Sequence, residues 1–575
     1  MSADPVRGYV LHKLRNQSLP DDQMALWHWL HERIHWYPHD KRIQSWVRAK
    51  RTDPRRTIAM VSASWIRGGD DTTPSIATIR CLTHRIDQTV GNATVSLRAD
   101  AAATVLFGTH TTKTTILCPD GSDWLFDAIL RQFGTQWLEA GYKLQPLVTG
   151  HQLRALIIRH GNRRWTLSDF HASTASTVDQ ALDDARSRRL MGSATNDDAM
   201  MLQTWCVGLQ DALHPVTRTY LRPTVGSASV RAAAFHLPDG IAVTRTLPLL
   251  SAMCRDGKGY RGGYVHGIMY RGPVTKVDGR RMYAWCLSQP LPYRWGIGRC
   301  LHDGTERHGI YVCTVNGMPR MPVQLPIWSP ETHEVTTQLW TGGSATCILP
   351  SSEFAGLRAL GCTVDPTYGF VATHWLSLKT YIHALVALTT KHGSQSAVGR
   401  WCKLAANALY GRLAVNPHRE GIVFAINRPA GRTFPLVTID DVLVDNAWTI
   451  HTTHYAPSHQ VGMAAWITGL ARSRLYALMA GVINAGRSIV HAHTDGIVAT
   501  GCTTDGIPDD DGAIGSWRIE GMDADGIVVR AGGYAVGGEA RWSGAPSSGR
   551  RTIEVAWDRG QWVLGGRRTY AVTDG

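Results

Sequence analysis

The spacing of apolar positions changes period several times along the chain, and each change predicts a different element. Residues 24–36, MALWHWLHERIHW, carry Leu, Trp and Ile at helical spacing and read as an amphipathic helix. A basic stretch follows, KRIQSWVRAKRTDPRR. From 57 to 170, short apolar runs of β type (TIAMVSASW, ATVLFG, ALIIRHG) alternate with the helical pattern of DWLFDAILRQFGTQWLEAGY, an α/β texture. Two more helical segments come next, STVDQALDDARSRRLMG and DDAMMLQTWCVGLQDAL.

Near residue 255 the pattern gives way to glycine-rich turns, CRDGKGYRGGYVHG, and then to a strand, PVTKVD, that ends on Asp278. A polar run of strands and turns covers about 305–375. Helices are predicted over LSLKTYIHALVALTTK and SAVGRWCKLAANALYGRLA, a turn-rich insert spans 415–455, and AAWITGLARSRLYALMAGVIN reads as another helix. The next segment, IVHAHTDGIVATG, has an apolar run on each side of Asp-Gly, which predicts a hairpin with His493, Thr494 and Asp495 at its tip. The last 45 residues or so are Gly-rich and β-like, and no internal repeat is visible. At 575 residues the chain has room for two to four domains.

Charge narrows the class of partner. Lys and Arg exceed Asp and Glu by 60 to 46, and the net charge of +14 is spread along the whole chain, which favours a polyanion such as nucleic acid. The 11 cysteines contain no C-x-x-C pair, the start MSADPVRGYVLHKLRNQ lacks the apolar core of a signal peptide, and no apolar run approaches a bilayer-spanning length. The expectation is a reduced, cytoplasmic protein with no membrane partner.

Two sets of residues carry candidate chemistry. Arg400, Lys403, Asn407 and Tyr410 share one face of a helix, and Lys391 lies about three turns earlier if that helix is continuous. The face is either a solvated basic helix ending at Gly411 as its C-cap, or a clamp whose cations neutralise phosphate oxygens while the tyrosine packs against a base or sugar. Asp278 and Asp495 both sit at strand ends, where an ordinary turn also accounts for them. With a basic aromatic helix between them in sequence, they form the minimum set for two-metal phosphoryl transfer.

In order along the chain, YRGGY (260–264), KVDGRRMYAWCLSQPLPY, KLAANALYG and HTDG resemble the Y-x-G-G segment and motifs A, B and C of a family B DNA polymerase, most closely the protein-primed branch of phages and linear plasmids. The resemblance implies an α/β multidomain chain: a right-hand polymerase of palm, fingers and thumb, preceded by a ribonuclease H-like 3′-5′ exonuclease-type domain. Residues 1–245 would be the exonuclease-like domain and 246–304 the first part of the palm. An insertion resembling terminal-protein region 1 would span 305–375, the fingers 376–414, and an insertion resembling terminal-protein region 2 415–455. The second part of the palm would cover 456–530 and the thumb 531–575. Asp278 and Asp495 would be the catalytic carboxylates, holding two Mg²⁺ or Mn²⁺ ions, and Tyr283 would lie under the nucleotide sugar. Lys391, Arg400 and Lys403 would bind the dNTP triphosphate, with Asn407, Tyr410 and Gly411 lining the nascent base pair. Tyr260, Gly262, Gly263, Arg530 and Tyr534 would contact DNA or the primer. Partners would be DNA template and primer, dNTPs and a terminal protein, in a bacterial host cell, with the chain encoded by a phage or mobile element.

The departures are as specific as the matches. His493 occupies the first Asp of motif C and Gly496 its serine, Ala284 the motif A proline, Ala408 the motif B serine, and Gly532 the lysine of the K-x-Y segment near the primer. An imidazole brings no negative charge to a hard cation. His493 would instead hydrogen-bond Asp495, touch the primer terminus or favour Mn²⁺, or else be a solvent-facing hairpin histidine. In the N-terminal region Ser62, Ser64 and Ser193 replace residues of the exonuclease motifs, and only Asp127 and Asp197 are retained. The expectation is an exonuclease-like domain that no longer proofreads. Two other functions fit the same residues: a catalytically silent polymerase-like scaffold that binds DNA or protein, and a template-independent or self-priming nucleotidyltransferase.

Overall fold

The computed structural model describes residues 247–302, 304–416 and 459–542, together with the shorter segments 20–33, 60–65, 76–82, 85–90, 93–98, 115–117, 138–149, 152–161, 163–168, 208–209, 211–218, 225–236, 418–424, 432–435, 447–453, 550–559, 561–564 and 568–571. The chain divides into two compact units. One comprises 1–36, 239–379 and 457–575, the other 37–238 and 380–456.

The first unit is built on two antiparallel sheets. The seven-stranded sheet runs, from edge to edge, Glu539–Trp542, Gly533–Val536, Trp517–Arg530, Tyr270–Gly279, Gly496–Thr500, Ile489–His493 and Val265–Gly267. Its central strand, Tyr270–Gly279, is buried over Val274–Val277, as a strand covered on both faces must be. Val274, Val490, Val498, Val528, Tyr534 and Val536 form one of its apolar clusters. The six-stranded sheet has the order Pro290–Arg299, Cys362–Ser377, Gly309–Gly317, Gly343–Pro350, Val323–Ser329 and Glu334–Trp340. The predicted polar run of 305–375 thus lies within a sheet that starts at Pro290 and ends at Ser377.

The predicted helix near 464–484 spans Val461–Asn484 and is largely apolar on all sides, with buried residues from Val461 to Val482 that include Arg472, which marks it as a core helix. It packs on the helices Pro248–Arg255, Met282–Ser288 and Phe354–Ala359. The N-terminal amphipathic helix spans Asp21–Arg33 and belongs to this unit. Gln23 donates to the Thr314 hydroxyl at 3.1 Å and accepts from Thr367 at 2.8 Å, and the Trp29 ring meets Trp328 at 5.4 Å.

The second unit contains an 11-stranded sheet. Its order is Arg432–Pro435, Ala447–Thr453, His418–Phe424, Lys143–Thr149, Gln152–His160, Arg163–Ser168, Thr115–Leu117, Met60–Trp65, Ile76–Leu82, Arg85–Val90 and Ala93–Arg98. Thr115–Leu117 pairs parallel with Arg163–Ser168, and the other pairings are antiparallel. The runs TIAMVSASW and ALIIRHG form strands as expected. ATVLFG and the helix expected over 176–192 lie outside the described residues. The expected fingers helices are Lys379–His392 and Ala397–Leu413, separated by a turn at Gly393 (φ +85°). Ser229 of the helix Val225–Ala234 donates to the Ala405 carbonyl at 2.9 Å, and a side chain at Gly226 would meet Ala408 at 3.5 Å. Ala408 thus faces the helix Val225–Ala234. The architecture as a whole is mixed α/β with large sheets.

Candidate active site

Asp278 lies one residue from the end of the central strand of the seven-stranded sheet, directly paired with Gly496 on one side and Arg518 on the other. Gly496 opens the second strand of the 489–500 hairpin and pairs with His493 across it. The two turn residues are therefore Thr494 and Asp495 rather than Asp495 and Gly496. Thr494 takes φ +61°, a left-handed conformation that β-branched residues rarely adopt, and the Asp495 N–H donates to the His493 carbonyl at 2.7 Å. The Gly279 N–H donates to the Asp495 carbonyl at 2.8 Å and so ties the two carboxylate-bearing segments together. Gly496 is paired against the Asp278 strand so closely that a Cβ there would stand 3.0 Å from Asp278 Oδ1.

Burial, and then the neighbouring charges of Asp495 and Glu520, push the Asp278 carboxyl up to about 7; Lys276 and Arg518 pull it only partly back. Lys276, two residues before Asp278, is occupied by other acids: Nζ lies 2.7 Å from Glu520 and also pairs with Glu539. Glu520 is thus a third acid beside the pair, and nothing in the local sequence pattern marked it. It lies on a long strand whose partner register with the Asp278 strand shifts near Lys276 and Val277, so its neighbours follow only from the folded sheet. Two mutually repelling carboxylates, one of them without an ion-pair partner among the described residues, fit a divalent cation. Among the described residues no group of three or more His, Cys, Asp or Glu is arranged to hold a metal. A magnesium site of one or two carboxylates completed by substrate phosphate and water needs none.

His493 is half-buried, with Nδ1 3.3 Å from the Thr494 hydroxyl and its ring stacked with His491 at 6.4 Å. His491 is buried and accepts the Gly532 N–H at Nε2 (2.9 Å); burial and the His493 charge lower its pKa to about 3, so it is neutral. Gly532 takes φ +73°, a backbone that excludes a lysine without strain and accounts for the departure from K-x-Y. Cations near Tyr534 come from other strands: Lys276 Nζ lies 5.4 Å from the centre of its ring, and Arg541 is its cross-strand partner. Tyr534 itself is a core residue, 3% exposed, with its hydroxyl 3.3 Å from Glu539. Arg530 lies over the Trp542 ring at 5.2 Å.

The glycine-rich segment abuts the hairpin. The Tyr260 N–H donates to the Cys254 carbonyl at 2.8 Å, and the Thr494 N–H donates to the Tyr264 carbonyl at 2.8 Å. A Cβ on Gly263 would stand 2.7 Å from Thr494 Cα, whereas Gly262 is exposed with open space around it. Tyr283 lies on the short helix Met282–Ser288 with Ala284, and both are buried.

In the other unit, the helix Ala397–Leu413 buries Trp401, Cys402, Ala405, Ala406 and Leu409 and turns Lys403 and Asn407 to solvent, with Arg400 and Tyr410 half-buried beside them. The shared face is as the spacing predicts. Gly411 is helical, since the helix runs on to Leu413 and is capped at Ala414, which sets aside the alternative of Gly411 as C-cap; Lys391 sits on the preceding helix, as the two separately predicted helices require, with the turn at Gly393 between them. Ser62 and Ser64 fall on the strand Met60–Trp65. Asp127, Asp197 and Ser193 lie outside the described residues.

No family model matches the chain, and no curated protein matches its sequence. Solved structures do. Phi29 DNA polymerase complexed with primer-template DNA and incoming nucleotide substrates is similar at a TM-score of 0.58 and 14% identity, over 86% of this chain and 94% of that one. Phi29 DNA polymerase complexed with single-stranded DNA is similar at a TM-score of 0.55 and 15% identity, over 86% and 94% of the two chains. The fold is therefore like that of phi29 DNA polymerase.

Proposed function

We propose that the protein is a template-directed DNA polymerase of the protein-primed type, joining dNTPs to a primer or terminal-protein hydroxyl. The observation that carries this reading is the juxtaposition of Asp278 with the Asp495 hairpin on the central strands of a phi29-polymerase-like fold. Two divalent ions held there supply activation of the attacking hydroxyl and charge neutralisation at the leaving pyrophosphate. The chain's own part is to hold those cations on Asp278 and Asp495, and to keep Lys276 away from them by pairing it with Glu520 and Glu539. Arg400 and Lys403 neutralise triphosphate oxygens, with Lys391 contributing from the preceding helix. Asn407, Tyr410 and Gly411 face the base pair, and Tyr283 limits space at the sugar. Gly262, Gly263, Tyr260 and Arg530 border the DNA. Tyr534 acts from the core, as the ring under Lys276, rather than by direct contact. Residues 305–375 and 415–455 correspond in position to the two insertions that guide the priming protein and encircle the template, and the serines at 62 and 64 leave the N-terminal domain without proofreading.

Primer extension tests the reading. Wild type is expected to incorporate dNTPs on a primed template with Mg²⁺ or Mn²⁺, and Asp278→Ala and Asp495→Ala to lose at least about a thousandfold of that rate. Unchanged incorporation in either variant removes the assignment. A wild type that binds DNA without incorporation under either metal favours the silent scaffold, and product made without template favours template-independent addition.

A further inference from the structure

Arg472, on the core helix Val461–Asn484, is fully buried and uses its guanidinium in two directions. Nε and Nη2 form a two-point pair with Glu353 at 2.9 and 2.8 Å, while Nη1 donates to the carbonyls of Arg261 at 3.0 Å and Gly262 at 2.9 Å. Glu353 is also fully buried, and its Oε1 pairs in addition with Arg261 Nη2. Two cations and one anion are thus enclosed together. Such a costly arrangement holds a main-chain segment in one place, because a planar guanidinium with four engaged donors has a single geometry. The segment it holds is the one against the hairpin: Gly263 packs on Thr494, the Tyr264 carbonyl accepts the Thr494 N–H, and Val265 pairs with His493.

We propose that Arg472, locked by Glu353, is a positioning residue for the carboxylate hairpin, acting through the main chain of residues 261–264 to hold the strained Thr494–Asp495 turn at the distance from Asp278 that a cation requires. The proposal rests on reading Asp278 and Asp495 as the metal-binding pair. It needs no contact between Arg472 and any substrate.

The test measures Mn²⁺ binding to the full-length chain without DNA or nucleotide, by the electron paramagnetic resonance of free Mn²⁺, with thermal melting to establish folding. Arg472→Lys keeps the charge but cannot span four acceptors. Gly263→Ala leaves the ionic cluster intact and displaces Thr494. Each is expected to weaken Mn²⁺ binding about tenfold, and the two together to add little, since they act on one path. Wild-type affinity in either folded variant, with binding lost in Asp495→Ala, overturns the positioning role alone. If Arg472→Lys does not fold, Gly263→Ala decides. Wild-type affinity in Asp495→Ala overturns the metal-site reading and the positioning role with it.

Discussion

Gly496 leaves little room for a side chain: a Cβ there would stand 3.0 Å from the carboxylate that its strand partner, Asp278, presents, so that the carboxylate would have to give way. Gly496→Ser, which restores the residue expected from the motif C pattern, is therefore predicted to damage rather than improve the site. Primer extension should fall at least about tenfold with little change in melting temperature, the rate difference corresponding to ~1.4 kcal/mol. Asp278 gives a second test. Its pKa is raised in the fold, so the folded state binds the proton more tightly than the unfolded chain, and the stability this contributes below pH 4 is lost as pH rises toward 7. Without metal, Asp278→Asn should be more stable than wild type at pH 8, by about 2 kcal/mol, and the two should converge at pH 4; Mg²⁺ should stabilise only the wild type. Thermal melts across that range measure both. Asp278 and Asp495 could be read from their places at strand ends. Glu520, Lys276 and Arg472 could not, because nothing adjacent in sequence distinguishes them from ordinary strand and helix residues.

The helix Ala397–Leu413 separates its two faces cleanly, so each face can be tested alone. Lys403 is exposed, and Lys403→Ala is expected to leave stability within about 0.5 kcal/mol while raising the KM for dNTP roughly tenfold. Leu409→Ala, on the buried face, should instead cost ~2–5 kcal/mol of stability. Parallel melts and dNTP titrations separate the two effects. The helical face was legible because 3.6-residue periodicity is a local property. The break between the two predicted helices falls at Gly393, whose positive φ is the ordinary way to end a helix. The hairpin was predicted in kind, but its turn residues are displaced by one from the Asp-Gly pair. Pairing with the Asp278 strand draws Gly496 into the sheet and leaves Thr494 to take the left-handed position.

At the level of the whole chain, the net charge of +14 and a fold like that of phi29 DNA polymerase lead to one expectation about association. Affinity for primer-template DNA should fall about a hundredfold or more between 50 and 200 mM salt, as counterions are released from several phosphates; fluorescence anisotropy over a salt series measures the slope. The sequence by itself determined the order of elements, the amphipathic N-terminal helix, the basic helical face and the two candidate carboxylates, all of which depend on neighbours a few residues away. Only the tertiary structure decided which segments share a compact unit, that the Asp278 strand lies at the centre of its sheet, and that a buried Arg-Glu-Arg cluster braces the glycine-rich segment against the hairpin. Sheet register and buried ion pairs join residues far apart in the chain, and their energies come from packing and from the exclusion of water, which no local pattern encodes.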